Sequence, residues 1–255
     1  RFYKQPYRHG TLYTSYCLLQ IHNSLCLIKS NYYLLIFFLT LIYDYKREYF
    51  NIKNYHYVNT IILKKFNMIE ATAYILMGGK NTRFGSEKWK AKLGSQIVLD
   101  SIWNACSIFK ERKLIGKKKP EQINKTFITD IYNYHAPIVG LHTALINSKT
   151  NWILVLSCDL PLINEGCLKF IWDSKKKGVD AVVPIVKDQV QPLCSLYNVD
   201  KLSELDYFIK KQNFSLQKFL KSINTQFINM DHYERLFFNM NTQDDLKKIK
   251  IKNKI

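Results

Sequence analysis

Residues Thr72–Lys88, TAYILMGGKNTRFGSEK, decide the fold. Ala73–Met77 is an apolar run of strand length, the pattern of a parallel strand buried on both faces. Gly78 and Gly79 follow, then a basic polar loop (Lys80, Asn81, Thr82, Arg83), a third glycine at Gly85 and Lys88. A buried strand that ends in a glycine turn brings bare backbone N–H groups against a phosphate or a purine edge. Arg83 and Lys88 add positive charge at the same mouth. The same letters also fit a strand–turn–helix corner with no ligand, because glycine turns are common punctuation. Two familiar loops are excluded. Gly85 is followed by Ser86, so no Gly-Lys-Ser/Thr closes a P-loop. Gly-x-Gly-x-x-Gly cannot be placed on Gly78, Gly79 and Gly85, so this is not the dinucleotide fingerprint.

Outward from this stretch, strands alternate with helices. Leu99, Ile102, Trp103, Cys106 and Phe109 recur at helical spacing and predict a helix over Val98–Lys110. Glu111–Asn124 is polar and lysine-rich, with a short strand at Leu114–Ile115; Lys117, Lys118 and Lys119 read as a solvated loop, or less simply as a triphosphate contact. Thr126–Thr129 reads as a strand ending in Asp130. Pro137 opens a helix that turns Leu141, Ala144 and Leu145 inward. Trp152–Ser157 is the clearest strand, terminated by Cys158-Asp159-Leu160-Pro161. Further helices follow on Leu168 and Ile171, on Leu202 to Ile209, and on Leu216 to Ile223. Strands are expected at Ala181–Val186, Leu193–Tyr197 and Phe227–Met230. Thr242-x-x-Asp245 is a capping pattern for a last helix from Gln243. This alternation predicts an α/β fold with a mainly parallel sheet covered on both faces. Ligands of such sheets bind outside the carboxyl ends of the strands. Gly78, Gly79, Asp130 and Asp159 each sit just past a predicted strand and should therefore converge on one rim.

The 255 residues carry a formal net charge of +18, which favours anionic partners such as nucleotides and phosphorylated ligands. Aromatic and basic residues after Met68 do not interleave on a nucleic-acid module, so no specific nucleic acid is expected. Six cysteines show neither a C-x-x-C pair nor zinc spacing and read as thiols of a reducing cytosol. A cytoplasmic location follows. The composition breaks near Met68. Residues 1–67 hold no alanine, one glycine, eleven of the seventeen tyrosines, and nine Lys/Arg against two Asp/Glu. Their longest apolar run, Tyr32–Tyr43, falls short of the ~20 residues that span a bilayer, so no membrane partner is expected. Residues 1–67 read as an atypical extension, untranslated in the working protein or disordered, ahead of a domain over 68–255. The rival reading is a basic, aromatic arm that touches a membrane surface or nucleic acid.

Asp159, at the tip of a buried strand and held by Pro161, suits a hard cation such as Mg²⁺. On its own it equally suits a turn cap. The surrounding motifs resemble those of the molybdenum cofactor guanylyltransferases and their nucleotidyltransferase relatives. Five blocks match in order: Leu76-Met77-Gly78-Gly79 with Arg83-Phe84-Gly85 and Ser86-Glu87-Lys88; Asp130 with Ala136-Pro137-Ile138-Val139-Gly140; Cys158-Asp159-Leu160-Pro161; Gln191-Pro192-Leu193 with Tyr197; and Phe238-Asn239-Met240-Asn241-Thr242 with Asp245-Leu246. The departures are Met77 for alanine, Phe84 for methionine, Glu87 for aspartate, Ala136 for glycine, and no asparagine within Leu114–Glu121.

The resemblance implies a Rossmann-like three-layer nucleotidyltransferase fold and transfer of GMP from GTP to molybdopterin, with Mg²⁺ as cofactor. It places Leu76, Met77, Gly78, Gly79, Lys88, Asp130 and Asp159 on GTP. It makes Lys88, Asp159 and Arg83 the catalytic groups, with the metal on Asp159. It sets Gln191, Asn239 and Asn241 on the pterin side. GTP and molybdopterin are the implied partners, with room for cofactor-delivery proteins. A related transferase using CTP or a sugar phosphate, and a nucleotide-binding protein without catalysis, are the alternatives. The chemistry needs no protein nucleophile, consistent with the absence of a Ser–His or Cys–His arrangement in the sequence.

Overall fold

The computed structural model describes residues 68–78, 87–132 and 134–253. The extension expected over residues 1–67, and with it Gly79 and Arg83 of the expected site, lie outside the described residues.

Ten strands and six helices are described. In chain order they are β1 (Ile69–Leu76), β2 (Lys92–Leu93), β3 (Gln96–Ile97), α1 (Val98–Ala105), β4 (Phe109–Gly116), β5 (Phe127–Thr129), α2 (Pro137–Ile146), β6 (Trp152–Ser157), α3 (Glu165–Asp173), β7 (Ala181–Val186), β8 (Gln189–Val190), β9 (Cys194–Asn198), α4 (Leu202–Lys210), α5 (Leu216–Ser222), β10 (Thr225–Asn229) and α6 (Gln243–Asn253). The main sheet runs β5-β4-β1-β6-β9-β7-β10, with β8 paired to β7. β1, β4, β5 and β6 pair in parallel, as do β7 and β10. β9 runs against both β6 and β7. β2 and β3 make a separate hairpin, turned at Gly94 with φ 59°.

Alternation along the central strands builds two cores. Ala73 and Ile75 of β1, with Leu154 and Leu156 of β6, face α1, α3 and α6 through Leu99, Ile102, Leu168, Ile171, Leu246 and Ile249. Tyr74 and Leu76, with Ile153 and Val155, face α2, α4 and α5 through Leu141, Leu145, Leu205, Ile209 and Phe219. The result is the expected three-layer α/β arrangement. β1 is buried along nearly its whole length, which is why its sequence is a continuous apolar run.

One segment departs from the sequence reading. The helix expected through Lys110 ends at Ala105, and a 3-10 turn over Cys106–Ile108 leads into the eight-residue strand β4, FKERKLIG. Its charged middle hid it. β5 covers only Leu114 to Gly116 of β4, so the preceding residues form a sheet edge. Charge is tolerated, even favoured, at such an edge. Lys110 pairs with Glu70 at 2.7 Å, and the Arg112 guanidinium stacks on Trp103 at 4.8 Å while bonding the Trp103 carbonyl. Among the described residues, no helix is long and apolar enough to cross a membrane.

Candidate active site

The chain order reverses at β1. β4 and β5 build outward on one side, and the chain then returns to lay β6 on the other. This is the switch point at which open α/β sheets bind ligands. Register brings the carboxyl ends level. Leu76 stands opposite both Ile115 of β4 and Ser157 of β6. Beyond the strands the ladder continues: Met77 N–H donates to the Ile115 carbonyl at 2.7 Å, Cys158 N–H to the Leu76 carbonyl at 3.2 Å, and Asp130 N–H to the Gly116 carbonyl at 2.9 Å. Gly78, Asp130 and Asp159 therefore share one rim.

Among the described residues nothing crowds Gly78, for a Cβ built there meets none of their atoms within 4 Å. Below it the fit is close. A Cβ at Gly140 of α2 would lie 3.0 Å from Leu76 Cδ1, and one at Gly116 3.5 Å from Met77 Cβ. At Gly116 the tight neighbour is the Phe127 ring of β5, 3.1 Å from such a Cβ.

Lys88 opens a 3-10 turn, Lys88–Lys90, anchored by the buried Trp89. Its Nζ donates to Asn241 Oδ1 at 2.9 Å, across 153 residues of chain. Met240 N–H donates to the Asp159 carbonyl at 2.9 Å. These two bonds strap the segment carrying Asn239 and Asn241 over the end of β6, beside Lys88 and Asp159. Asp245 fixes that segment in turn, its Oδ2 accepting from Asn241 N–H at 3.0 Å and Thr242 N–H at 2.8 Å. Asp245 N–H returns a bond to Thr242 Oγ1, closing the expected capping pattern of α6.

Gln191 reaches the same rim because β9 is antiparallel. Its start, not its end, lies at the carboxyl edge, where the Leu193 carbonyl accepts from Ser157 N–H at 2.8 Å. The Gln191 main chain is pinned by Ser195 Oγ at 2.6 Å, and its side chain is half-exposed. Of the expected site residues that are described, all come to this edge: Leu76, Met77, Gly78, Lys88, Asp130, Asp159, Gln191, Asn239 and Asn241.

One partner of Asp130, Thr143, lay beyond the sequence reading, and another, Lys117, entered it only as one of three consecutive lysines. Asp130 Oδ1 accepts from Thr143 Oγ1 at 2.7 Å, and Oδ2 from Lys117 Nζ at 3.0 Å. Lys117 also donates to the Tyr132 carbonyl. Lys117 thus lies in the exposed loop expected after β4, with its ammonium tied down at both points.

Electrostatically the rim is mixed. Burial pushes the Cys158 thiol up to about 12, the neighbouring Asp159 carboxylate adds to this, and Lys88 opposes it. That thiol stays protonated at neutral pH and is no nucleophile. No group of three or more His, Cys, Asp or Glu among the described residues is placed to hold a metal. A divalent ion resting on one carboxylate and on substrate phosphates remains compatible, and that is how Mg²⁺ is usually bound. Cations, a carboxylate and an open glycine turn on one rim can align and neutralise a polyphosphate.

Residues 73–227 match the MobA-like NTP transferase domain. The chain belongs to that family. A probable molybdenum cofactor guanylyltransferase of Aquifex aeolicus is 30% identical over 182 residues, 70% of this chain and 89% of the relative. One from Clostridium perfringens is 27% identical over 202 residues, 74% of this chain and all of the relative. The crystal structure of molybdopterin-guanine dinucleotide biosynthesis protein A from Archaeoglobus fulgidus superposes with a TM-score of 0.63 at 24% identity, covering 72% of this chain and 100% of that one. This MobA-like chain is a nucleotidyltransferase, and its sheet is that of the family.

Proposed function

We propose that this nucleotidyltransferase moves GMP from GTP to molybdopterin, forming the guanine dinucleotide and releasing pyrophosphate. The observation that supports the reading is the strap from Asp159 through Met240 and Asn241 to Lys88, which sets a lysine, an aspartate and an asparagine together beside the glycine turn. The names of the relatives supply the substrates.

GTP lies over Leu76, Met77, Gly78 and Gly79, with Lys88 and Arg83 on its phosphates and Asp130 toward the rest of the nucleotide. Gln191, Asn239 and Asn241 form the wall for the pterin. A phosphate oxygen of molybdopterin, already anionic near neutral pH, attacks the α-phosphorus. The new P–O bond forms as the bond from the α-phosphorus to the bridging oxygen breaks, and pyrophosphate leaves with that electron pair. No proton need be removed from the attacking group, so the site's task is alignment and charge neutralisation. Lys88 and Arg83 meet the charge that builds on the leaving group. Asp159 would hold Mg²⁺, which supplies further charge screening on the triphosphate. A cytoplasmic setting accords with Cys106, Cys158, Cys167 and Cys194 all being free thiols.

The test is pyrophosphate release with each of the four nucleoside triphosphates, with and without molybdopterin. Release with GTP that depends on molybdopterin is expected. Turnover with CTP in its place, or no dependence on the pterin, overturns the reading in favour of a related transferase.

A further inference from the structure

Lys117 follows β4 as the first of three consecutive lysines, yet it is tied at two points, to Asp130 Oδ2 and to the Tyr132 carbonyl. Asp130 is enclosed from both sides, by Lys117 and by the Thr143 hydroxyl. Its side chain is only 9% exposed, against 33% for Lys117. An ammonium carries three N–H donors. Two are used within the protein, which leaves one for the rim. What the site presents on this side is a fixed cationic donor, with the carboxylate behind it.

The two lysines of the rim lie on opposite sides of β1. Lys88, with Asp159 and Asn241, is on the β6 side; Lys117 is at the end of β4. The two flanking strands are separated by two strand spacings, roughly 10 Å. A nucleotide lying across the Gly78 turn with its phosphates at Lys88 carries its base toward Lys117. We propose that Lys117, held in place by Asp130, makes a direct contact to the nucleotide base and selects an acceptor-bearing purine edge. Guanine offers O6 and N7, both acceptors, whereas adenine replaces O6 with an amino donor that would face the ammonium. The inference rests on the nucleotidyltransferase reading and assigns its base selectivity to a residue of this chain.

The experiment is calorimetric binding of GTP and of ATP to the full chain without molybdopterin. The wild-type chain is expected to prefer GTP. Lys117→Gln is made alone, because its amide still donates to the enclosed Asp130 carboxylate while the cation is removed. That variant should weaken GTP binding by roughly tenfold or more while changing ATP binding little, so the GTP-to-ATP ratio falls. Lys117→Arg, which keeps a cationic donor on Asp130, should restore most of the preference. Equal losses for GTP and ATP, or an unchanged ratio, overturn the assignment while leaving nucleotide binding intact. A wild-type chain that binds neither nucleotide overturns the nucleotidyltransferase reading itself.

Discussion

Asp159 separates its structural bond from its chemistry. The backbone carbonyl accepts the Met240 N–H that straps the C-terminal segment, so replacing the side chain leaves that bond in place. Asp159→Ala should therefore reduce turnover by about 10²–10³, the scale of losing one preorganised electrostatic group. Its stability should stay within about 0.5 kcal/mol of wild type, as for other rim positions away from the core. Pyrophosphate release and a thermal melt on the same sample check both halves; near-normal release removes Asp159 from the site. Asp159, Gly78 and Lys88 were legible in the sequence because their signal is local: a carboxylate at a strand tip, a glycine turn, a cation just beyond. Thr143 was not, and Lys117 was legible only as one of three lysines that could meet a phosphate. Their role depends on β4 and β5 lying side by side, and nothing in a run of three lysines says which one meets Asp130. The Lys88–Asn241 bond was equally invisible as a contact, because it joins residues 153 positions apart.

Elements were legible in proportion to their burial. β1, β6 and β7 are covered on both faces and spell themselves as apolar runs. β4 is half an edge strand, and its charged residues misled the helical reading. The direction of β9 could not be read from its letters either, since a buried strand looks alike in both senses; pairing with β6 and β7 sets it. The last helix was announced by its cap, and the cap links stability to the site. Burial raises the Asp245 pKa, but hydrogen bonds from the Thr242 side chain and from the Asn241 and Thr242 N–H groups outweigh it, leaving the pKa below its ordinary 3.8. A depressed carboxyl contributes stability above its unfolded pKa and loses it as pH falls through the lower folded value. Asp245→Ala should cost about 1 kcal/mol at neutral pH. The gap in melting temperature between it and wild type should close as the pH drops below 3.8. A gap of constant size down to acid would show that the carboxylate charge is not what holds the Asn241 segment.

At the scale of the whole molecule the sheet order concentrates the described site within residues 68–253, and charge draws the substrates to it. Residues 1–67 carry nine basic and two acidic side chains, which account for +7 of the +18 and leave +11 on residues 68–255. Both substrates of the proposed reaction are polyanions, so attraction over a distance should speed their capture. The screening length shrinks from about 30 Å at 0.01 M salt to about 8 Å at 0.15 M. Over that range kcat/KM for the nucleotide should fall by roughly tenfold, with kcat much less affected, because steering acts on encounter and not on the bound complex. A chain starting at Met68 should keep kcat, since every described site residue and both cores lie within it, and should show a shallower salt dependence because part of the field has gone. Measuring kcat and kcat/KM against ionic strength for both chains separates the two effects. If the shorter chain folds but loses kcat, residues 1–67 take part in the reaction. If its salt dependence is as steep as before, the capturing charge belongs to the rim lysines and not to the molecule's net excess.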